Sequence, residues 1–369
     1  MKKEWLDRFN SFNSDKGFLF GEYYQAIADW LDGKREKPMP PIEVSFDPIQ
    51  ACNLRCEHCN AHRYLENHGY RMTDEHILGL VAYLAKWGVR TACFGGGGEP
   101  TLHSKLGEAI KLSKKLGMEN SLVTNGTLLT PELCEDIALY SRYVGISIDS
   151  ASPETYERGK GKDMFNTVVR NVERLVASID KHNTDCSLAY KFLVYGYNQH
   201  EIFEACKLAK HLGARDFHVR PADFRHQGLG ELKKRENEFN VELINSEFEK
   251  CHEIEDKNFR VYSVVHKFNK DFTPKRNFTH CYASPISIQV CADGNIYYCP
   301  DTRFLESYKL GTHTNLEDIE KNWGNAHMKV LVSKTACPNC TSRCTFTVYN
   351  EICERLFINK DDPFYRWFV

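Results

Sequence analysis

Three cysteines, Cys52, Cys56 and Cys59, share the stretch ACNLRCEHCN at residues 51–60, with three and then two residues between them. Closely spaced thiolates suit zinc or iron–sulfur, because both are thiophilic. A structural zinc site takes four ligands, usually as two pairs. Here three thiols sit on one loop, and His58, the neighbour of Cys59, is awkward to place on the same ion. Three cysteines can instead hold three irons of a [4Fe–4S] cluster, with the fourth iron open to a non-protein ligand. The next chemical signal is FGGGGEP at residues 94–100. Glycines there let a ligand approach the backbone closely, and Glu99 supplies an acceptor for a cation.

The chain holds fifteen cysteines, and seven of them fall between Cys281 and Cys353. Without a signal peptide thiols stay reduced, so clustered ones read as metal or redox ligands. Cys93, Cys134, Cys186, Cys206 and Cys251 are isolated and read as small buried hydrophobes. In the second group Cys281, Gly294 and Cys299 frame a hairpin, Cys337 and Cys340 form a Cys-x2-Cys pair, and Cys344 and Cys353 follow.

These groups need a scaffold. Strand-like runs cover 42–48, 90–94, 120–124, 143–148, 186–195 and 215–220. Helix-like runs lie between them at 73–87, 104–117, 131–141, 163–182 and 199–213. The rhythm is roughly 30 residues per unit, the size of a βα repeat, and it implies a parallel sheet. Doubly wound and barrel folds both fit. In either, the cysteine loop and the glycine run follow successive strands, so they lie on the one edge that carries sites in parallel sheets. Residues 1–41 form a lead-in with a helix over GEYYQAIADWLDGK, broken by KPMPP. The charged run GELKKRENEFNVELINSEFEKCHEIEDK reads as a solvated surface helix. Beyond it the rhythm stops. PISIQVCADGNIYYCP reads as a hairpin around Ala-Asp-Gly, opening a smaller unit from 278 to 369.

Lys+Arg total 48 and Asp+Glu 50, so nothing favours a nucleic-acid partner. No apolar run is long enough for a membrane span or signal peptide, and a cytoplasmic protein is the expectation.

The motifs resemble those of the radical S-adenosylmethionine (SAM) superfamily. Cys52-x3-Cys56-x2-Cys59 matches its cluster motif, with His58 where the family usually has an aromatic side chain. GGGGEP resembles its Gly-Gly-Glu-Pro motif, which implies that Glu99, beside Gly97 and Gly98, holds the SAM amino group. VTNG at 123–126 and ISIDSASPETYERGKG at 146–161 resemble the next two strand ends. They imply SAM contacts from Asn125, Ser147, Asp149 and Arg158. The resemblance covers about 42 to 221. It implies a partial (β/α)6 barrel of TIM type, drawn here over 42–258, followed by a small C-terminal α+β iron–sulfur domain.

The implied chemistry is reductive cleavage of SAM to a 5′-deoxyadenosyl radical, which abstracts hydrogen from an unactivated C–H bond. A reduced flavodoxin- or ferredoxin-like protein would donate the electron. The second cysteine group resembles the Twitch and SPASM extensions of the same family. That implies one auxiliary [4Fe–4S] cluster on Cys281, Cys299, Cys337 and Cys340, with a zinc ribbon as the competing account. Cys344 and Cys353 are further candidates. Only 41 residues precede the first strand, fewer than a leader-recognition domain needs. This favours a small-molecule partner, sugar- or polyol-like, undergoing dehydrogenation or epimerisation. For epimerisation Cys93, Cys186 and Cys251 are candidate hydrogen donors. The alternatives are a maturase of a ribosomally made peptide, or a non-enzymatic iron–sulfur or zinc-stapled binding protein.

Overall fold

The computed structural model describes residues 20–57, 59, 61, 69–222, 239–263, 278–333, 346–359, 362 and 364. Helix α1 (Gly21–Leu31) precedes strand β1 (Glu43–Asp47). The βα series follows as α2 (Asp74–Trp87), β2 (Thr91–Phe94), α3 (Leu106–Lys115), β3 (Glu119–Thr124), α4 (Pro131–Tyr140) and β4 (Tyr143–Ser147). It continues through α5 (Pro153–Lys160), α6 (Phe165–His182), β5 (Ser187–Val194), α7 (Ile202–His211), β6 (Asp216–Pro221), α8 (Val241–Glu253) and β7 (Arg260–Ser263). Last come β8 (Ser287–Cys291), β9 (Asn295–Tyr297), β10 (Lys309–Thr312), α9 (Glu317–Asn322), α10 (Ala326–Val332) and α11 (Thr347–Asn359).

Local chemistry sets the helix ends. Thr73 caps α2 by accepting from His76 N at 3.1 Å, and Gly88 closes that helix in the left-handed region. Thr130 and Ser152 cap α4 and α5, each followed by proline at the first helical position. The sheet runs β10-β9-β8-β1-β2-β3-β4-β5-β6-β7 and does not close. Strands β1 to β7 are parallel, and β8 also joins β1 in parallel. Strands β9 and β10 are antiparallel. The expected open barrel of TIM type is therefore present, with β7 as a seventh parallel strand.

Alternation decides which side chains face where. Val44, Phe46, Ala92, Phe94, Leu122, Val144 and Ile146 are fully buried in the core with the helices. Phe46 and Phe94 stack at 5.0 Å, and burying each ring is worth about 2–3 kcal/mol. The intervening residues face the concave side. Two sequence expectations change. Residues 241–253 do form a helix, but Ile244, Glu247, Phe248 and Cys251 are buried, so α8 is a packing helix. Its Glu247 accepts from Phe203 N at 2.9 Å, satisfying a donor in the first turn of α7. Helix α5 is an element that the periodicity did not reveal. The lead-in helix docks on the C-terminal part of the chain: Trp30 Nε1 donates to the Gly324 carbonyl at 3.1 Å, and Tyr24 stacks on Tyr349.

Candidate functional site

The cysteine loop leaves the C-terminal end of β1 and is held from two sides. On one side Glu99 N donates to the Ala51 carbonyl at 2.8 Å. A Cβ on Gly98 would lie 2.4 Å from Ala51 O and 2.5 Å from Ile49 O, so only glycine permits this approach. On the other side Arg55 N donates to the Lys160 carbonyl and Glu57 N to the Gly159 carbonyl, both at 3.0 Å. Gly161, at φ +71°, passes so close to Arg55 O that a Cβ would sit 2.7 Å from it. Beneath the loop Asn53 Nδ2 donates to Thr127 Oγ1 at 2.7 Å, and Asn125 Nδ2 donates to Asn53 Oδ1 at 2.9 Å.

Cys52, Cys56 and Cys59 are all partly exposed on this loop, and none is in a disulfide. Among the described residues no three His, Cys, Asp or Glu side chains are grouped to hold a single metal ion. A cubane spreads its cysteines over separate irons, and a loop bearing three thiols, half-covered and braced on both flanks, fits that donor set. Burial lifts the Cys52 thiol to about 11. At Cys56 burial also raises the pKa, and the Lys160 ammonium opposes the rise. Metal ligation would remove these protons.

Glu99 is 2% exposed, and burial raises its pKa against four hydrogen bonds. Oε1 accepts from Thr101 N at 3.1 Å, Thr101 Oγ1 at 2.6 Å and Thr124 Oγ1 at 2.5 Å, and Oε2 accepts from Asn125 N at 2.7 Å. Asn125 Nδ2 also reaches to 3.9 Å from Cys52 Sγ. Cys52, Glu99 and Asn125 thus form one constellation across the ends of β1, β2 and β3. The second Glu99 oxygen keeps acceptor capacity for an ammonium group.

The other expected contacts divide. Ser147 faces the concave side, paired in register with Lys191. Asp149, at φ +62°, is buried and ion-paired with the buried Lys160; its Oδ1 accepts from Leu193 N at 2.7 Å. Arg158 is exposed on α5, its guanidinium 4.3 Å from the Tyr197 ring centroid. It is not joined to the Cys52–Glu99–Asn125 constellation by any contact among the described residues.

Sequence reasoning missed Asp47, Lys160 and Arg303. Asp47 ends β1 and is 1% exposed. Burial raises its pKa, opposed first by Arg303 and then by hydrogen bonds from Gly97, Gln289 and Cys291. Arg303 Nη1 lies 3.1 Å from Asp47 Oδ2, and Phe304 lies against Gly97. The C-terminal part of the chain therefore supplies one wall of the glycine strand end. An acidic residue closing an apolar strand was the signal for Asp47; Lys160 and Arg303 lie in loops or helix ends with no periodic signal.

Of the second cysteine group, Cys281 accepts from Asn350 Nδ2 at 3.8 Å, and Cys299 accepts from Thr302 Oγ1 at 3.5 Å. Cys353 is buried on α11, within electrostatic reach of Cys281. Cys337, Cys340, Cys344 and His58 lie outside the described residues. Of the three candidate donor thiols, Cys93 alternates onto the concave face beside Ser45 and Ser121, whereas Cys251 packs in the helical layer and donates to Ile202 O at 3.8 Å. Cys186, just before β5, is 2% exposed.

Residues 47–209 match the Radical SAM superfamily. The chain is 28% identical over 204 residues to a probable GTP 3′,8-cyclase of Saccharolobus solfataricus, spanning 55% of this chain and 62% of that protein, less than two thirds of its length. Its fold resembles that of Streptococcus suis SuiB bound to precursor peptide SuiA, at a TM-score of 0.62 and 13% identity, over 87% of this chain and 72% of that one. It also resembles anSMEcpe with bound AdoMet and a Cp18Cys peptide, at a TM-score of 0.57 and 18% identity, over 82% and 86%. The expectation of a small-molecule partner falls here. It rests on the short segment ahead of β1, yet a chain sharing this fold is solved with a precursor peptide; the length of that segment does not argue against one. Cysteine loop, glycine strand end and family match agree: residues 47–209 form a radical SAM domain.

Proposed function

We propose that this protein is a radical SAM maturase that modifies a ribosomally made peptide. The observation that carries the reading is the joining of Cys52, Glu99 and Asn125 at adjacent strand ends within a fold shared, over most of its length, with two chains solved with peptides. Cys52, Cys56 and Cys59 would hold a [4Fe–4S] cluster. When bound, cluster and SAM together supply a 5′-deoxyadenosyl radical that takes hydrogen from the substrate.

The chain's own part is binding and orientation. Glu99, fixed by Thr101, Thr124 and the Asn125 amide, faces the SAM ammonium with a charge-assisted contact. The Asp149–Lys160 pair and the backbone of residues 159–161 keep the cysteine loop in place. The concave face of the sheet, with Ser147 on it, receives the substrate. Residues 278–369 act as an auxiliary domain in which Cys281, Cys299, Cys337 and Cys340 hold a second cluster. A flavodoxin- or ferredoxin-like protein delivers the electron.

The test is anaerobic incubation of the iron-loaded protein with SAM, a reductant and synthetic peptides from short reading frames beside its gene. A peptide product of altered mass, formed with Cys52, Cys56 and Cys59 intact and not in their triple alanine variant, is expected. Turnover of SAM with no peptide altered would overturn the peptide reading.

A further inference from the structure

Two cations on the concave face have no part in the SAM constellation. On β5 Tyr190, Phe192 and Val194 are buried toward the helices, so Lys191 turns to the concave side. On β6 Phe217 and Val219 are buried, so His218 and Arg220 do the same. Register places Lys191 between Ser147 of β4 and His218 of β6, and Arg220 beside Leu193 of β5. Gly145 fixes the lysine stem: a Cβ there would come 2.8 Å from Lys191 Cδ and 3.0 Å from the Tyr143 hydroxyl. The His218 ring meets Tyr262 edge-on at 5.0 Å. Ser147, Lys191, His218, Arg220 and Tyr262 thus share the concave face of neighbouring strands β4 to β7.

The charges around this wall are unevenly placed. Burial, and next the Arg220 guanidinium, hold the Lys191 ammonium down at about 8; Cys93 and Asp149 act the other way. The Cys93 thiol is neutral, lifted to about 12 by burial. Asp149 is paired with Lys160, and Asp47 with Arg303. Asp216, lower on β6, accepts from Ser187 Oγ at 3.1 Å. Lys191 is half-buried and Arg220 exposed; two neighbouring cations repel, and an anion arriving between them relieves that repulsion while forming charge-assisted hydrogen bonds.

We infer that Lys191 and Arg220 form a carboxylate-binding site that anchors an acidic residue, or the free C-terminus, of the substrate beside the residue to be modified. The inference rests on the peptide reading only for the source of the carboxylate.

Competition labelling tests it. The iron-loaded protein with SAM is treated anaerobically with limiting acetic anhydride at pH 7.5, and acetylation of Lys191 is followed by mass spectrometry against the surface lysines. The probes are acetyl-Gly-Glu-Gly-amide, acetyl-Gly-Gln-Gly with a free C-terminus, acetyl-Gly-Gln-Gly-amide and glutarate. The expected result is that carboxylate-bearing probes slow Lys191 labelling by about fivefold or more while the neutral amide does not. Arg220→Met should abolish the protection and Arg220→Lys should retain part of it. Protection by the glutamate probe alone assigns the source to a side chain, and by the free-acid probe alone to a chain end. Protection by glutarate with none from either peptide keeps the anion site and removes the peptide reading. Equal protection by the neutral amide, or full protection in a folded Arg220→Met variant, overturns the inference. Should Arg220→Met not fold, the comparison of charged and neutral probes on the wild-type protein still decides.

Discussion

Replacing Gly98 with alanine tests the contact that joins the glycine strand end to the cysteine loop. The new methyl would lie 2.4 Å from Ala51 O, 2.5 Å from Ile49 O and 2.8 Å from Ala51 N, all backbone atoms. An ordinary carbon–oxygen contact is about 3.3 Å, so the backbone must retreat by roughly 0.9 Å. Ala51 precedes Cys52, and its carbonyl accepts the Glu99 amide at 2.8 Å, so the retreat shifts the first thiol and loosens that hydrogen bond together. Overpacking costs about 1–3 kcal/mol and the lost hydrogen bond about 1 kcal/mol. A total of about 2–4 kcal/mol set against the SAM-binding conformation weakens binding by about thirtyfold to several hundredfold. Gly97→Ala is the internal comparison. Its Cβ would meet side-chain atoms, Asp47 Oδ2 at 3.2 Å and the Phe304 ring at 3.6 Å, which can give way. Equilibrium dialysis of labelled SAM against both reconstituted variants, with iron content and melting temperature measured alongside, separates the two. A Gly98→Ala protein that binds SAM within threefold of wild type would refute the argument.

Two other perturbations follow from buried charges. Lys160→Met removes the partner of buried Asp149 and should destabilise the protein by about 3–5 kcal/mol, whereas Arg158→Met on the same helix, losing only its contact over the Tyr197 ring, should cost no more than about 1 kcal/mol; melting curves compare them. His313 is 1% exposed, donates from Nε2 to the Cys291 carbonyl at 2.8 Å, accepts at Nδ1 from His76 Nε2 at 2.7 Å, and is held down at about 4 by burial, from an ordinary 6.5. The unfolded chain therefore binds a proton that the folded chain does not, and stability, full above pH 6.5, falls as pH drops toward 4. The loss is about 2–3 kcal/mol, and urea midpoints at pH 7 and pH 5 should differ less in His313→Gln than in wild type.

The strands were readable because their information is local. The expected strand at 120–124 is Glu119–Thr124, that at 143–148 is Tyr143–Ser147, and the expected helix at 73–87 is Asp74–Trp87 with Thr73 as its cap. The first cysteine loop and Glu99 were legible for the same reason, since motif and strand end adjoin in sequence. What stayed hidden depends on distant partners. Strand β8 pairs with β1 although more than 200 residues separate them, and this pairing carries Arg303 to Asp47. Helix α5 is short and strongly polar, so no apolar period marks it, yet it supplies Lys160 and the backbone that braces the cysteine loop. Lys191 and Arg220 did leave a signal, a single cation at an alternate position in an apolar strand. Its meaning appears only once the register sets the two strands side by side.

The central claim is that Cys52, Cys56 and Cys59 serve a SAM-cleaving centre with Glu99. Its most direct test is 5′-deoxyadenosine formation by anaerobically reconstituted protein given SAM and a strong reductant. The account predicts 5′-deoxyadenosine and methionine from protein holding about eight irons, and neither product when the three cysteines are replaced with alanine and about four irons are lost. Iron-loaded protein that binds SAM yet yields no 5′-deoxyadenosine, or a triple variant that still yields it, would contradict the account.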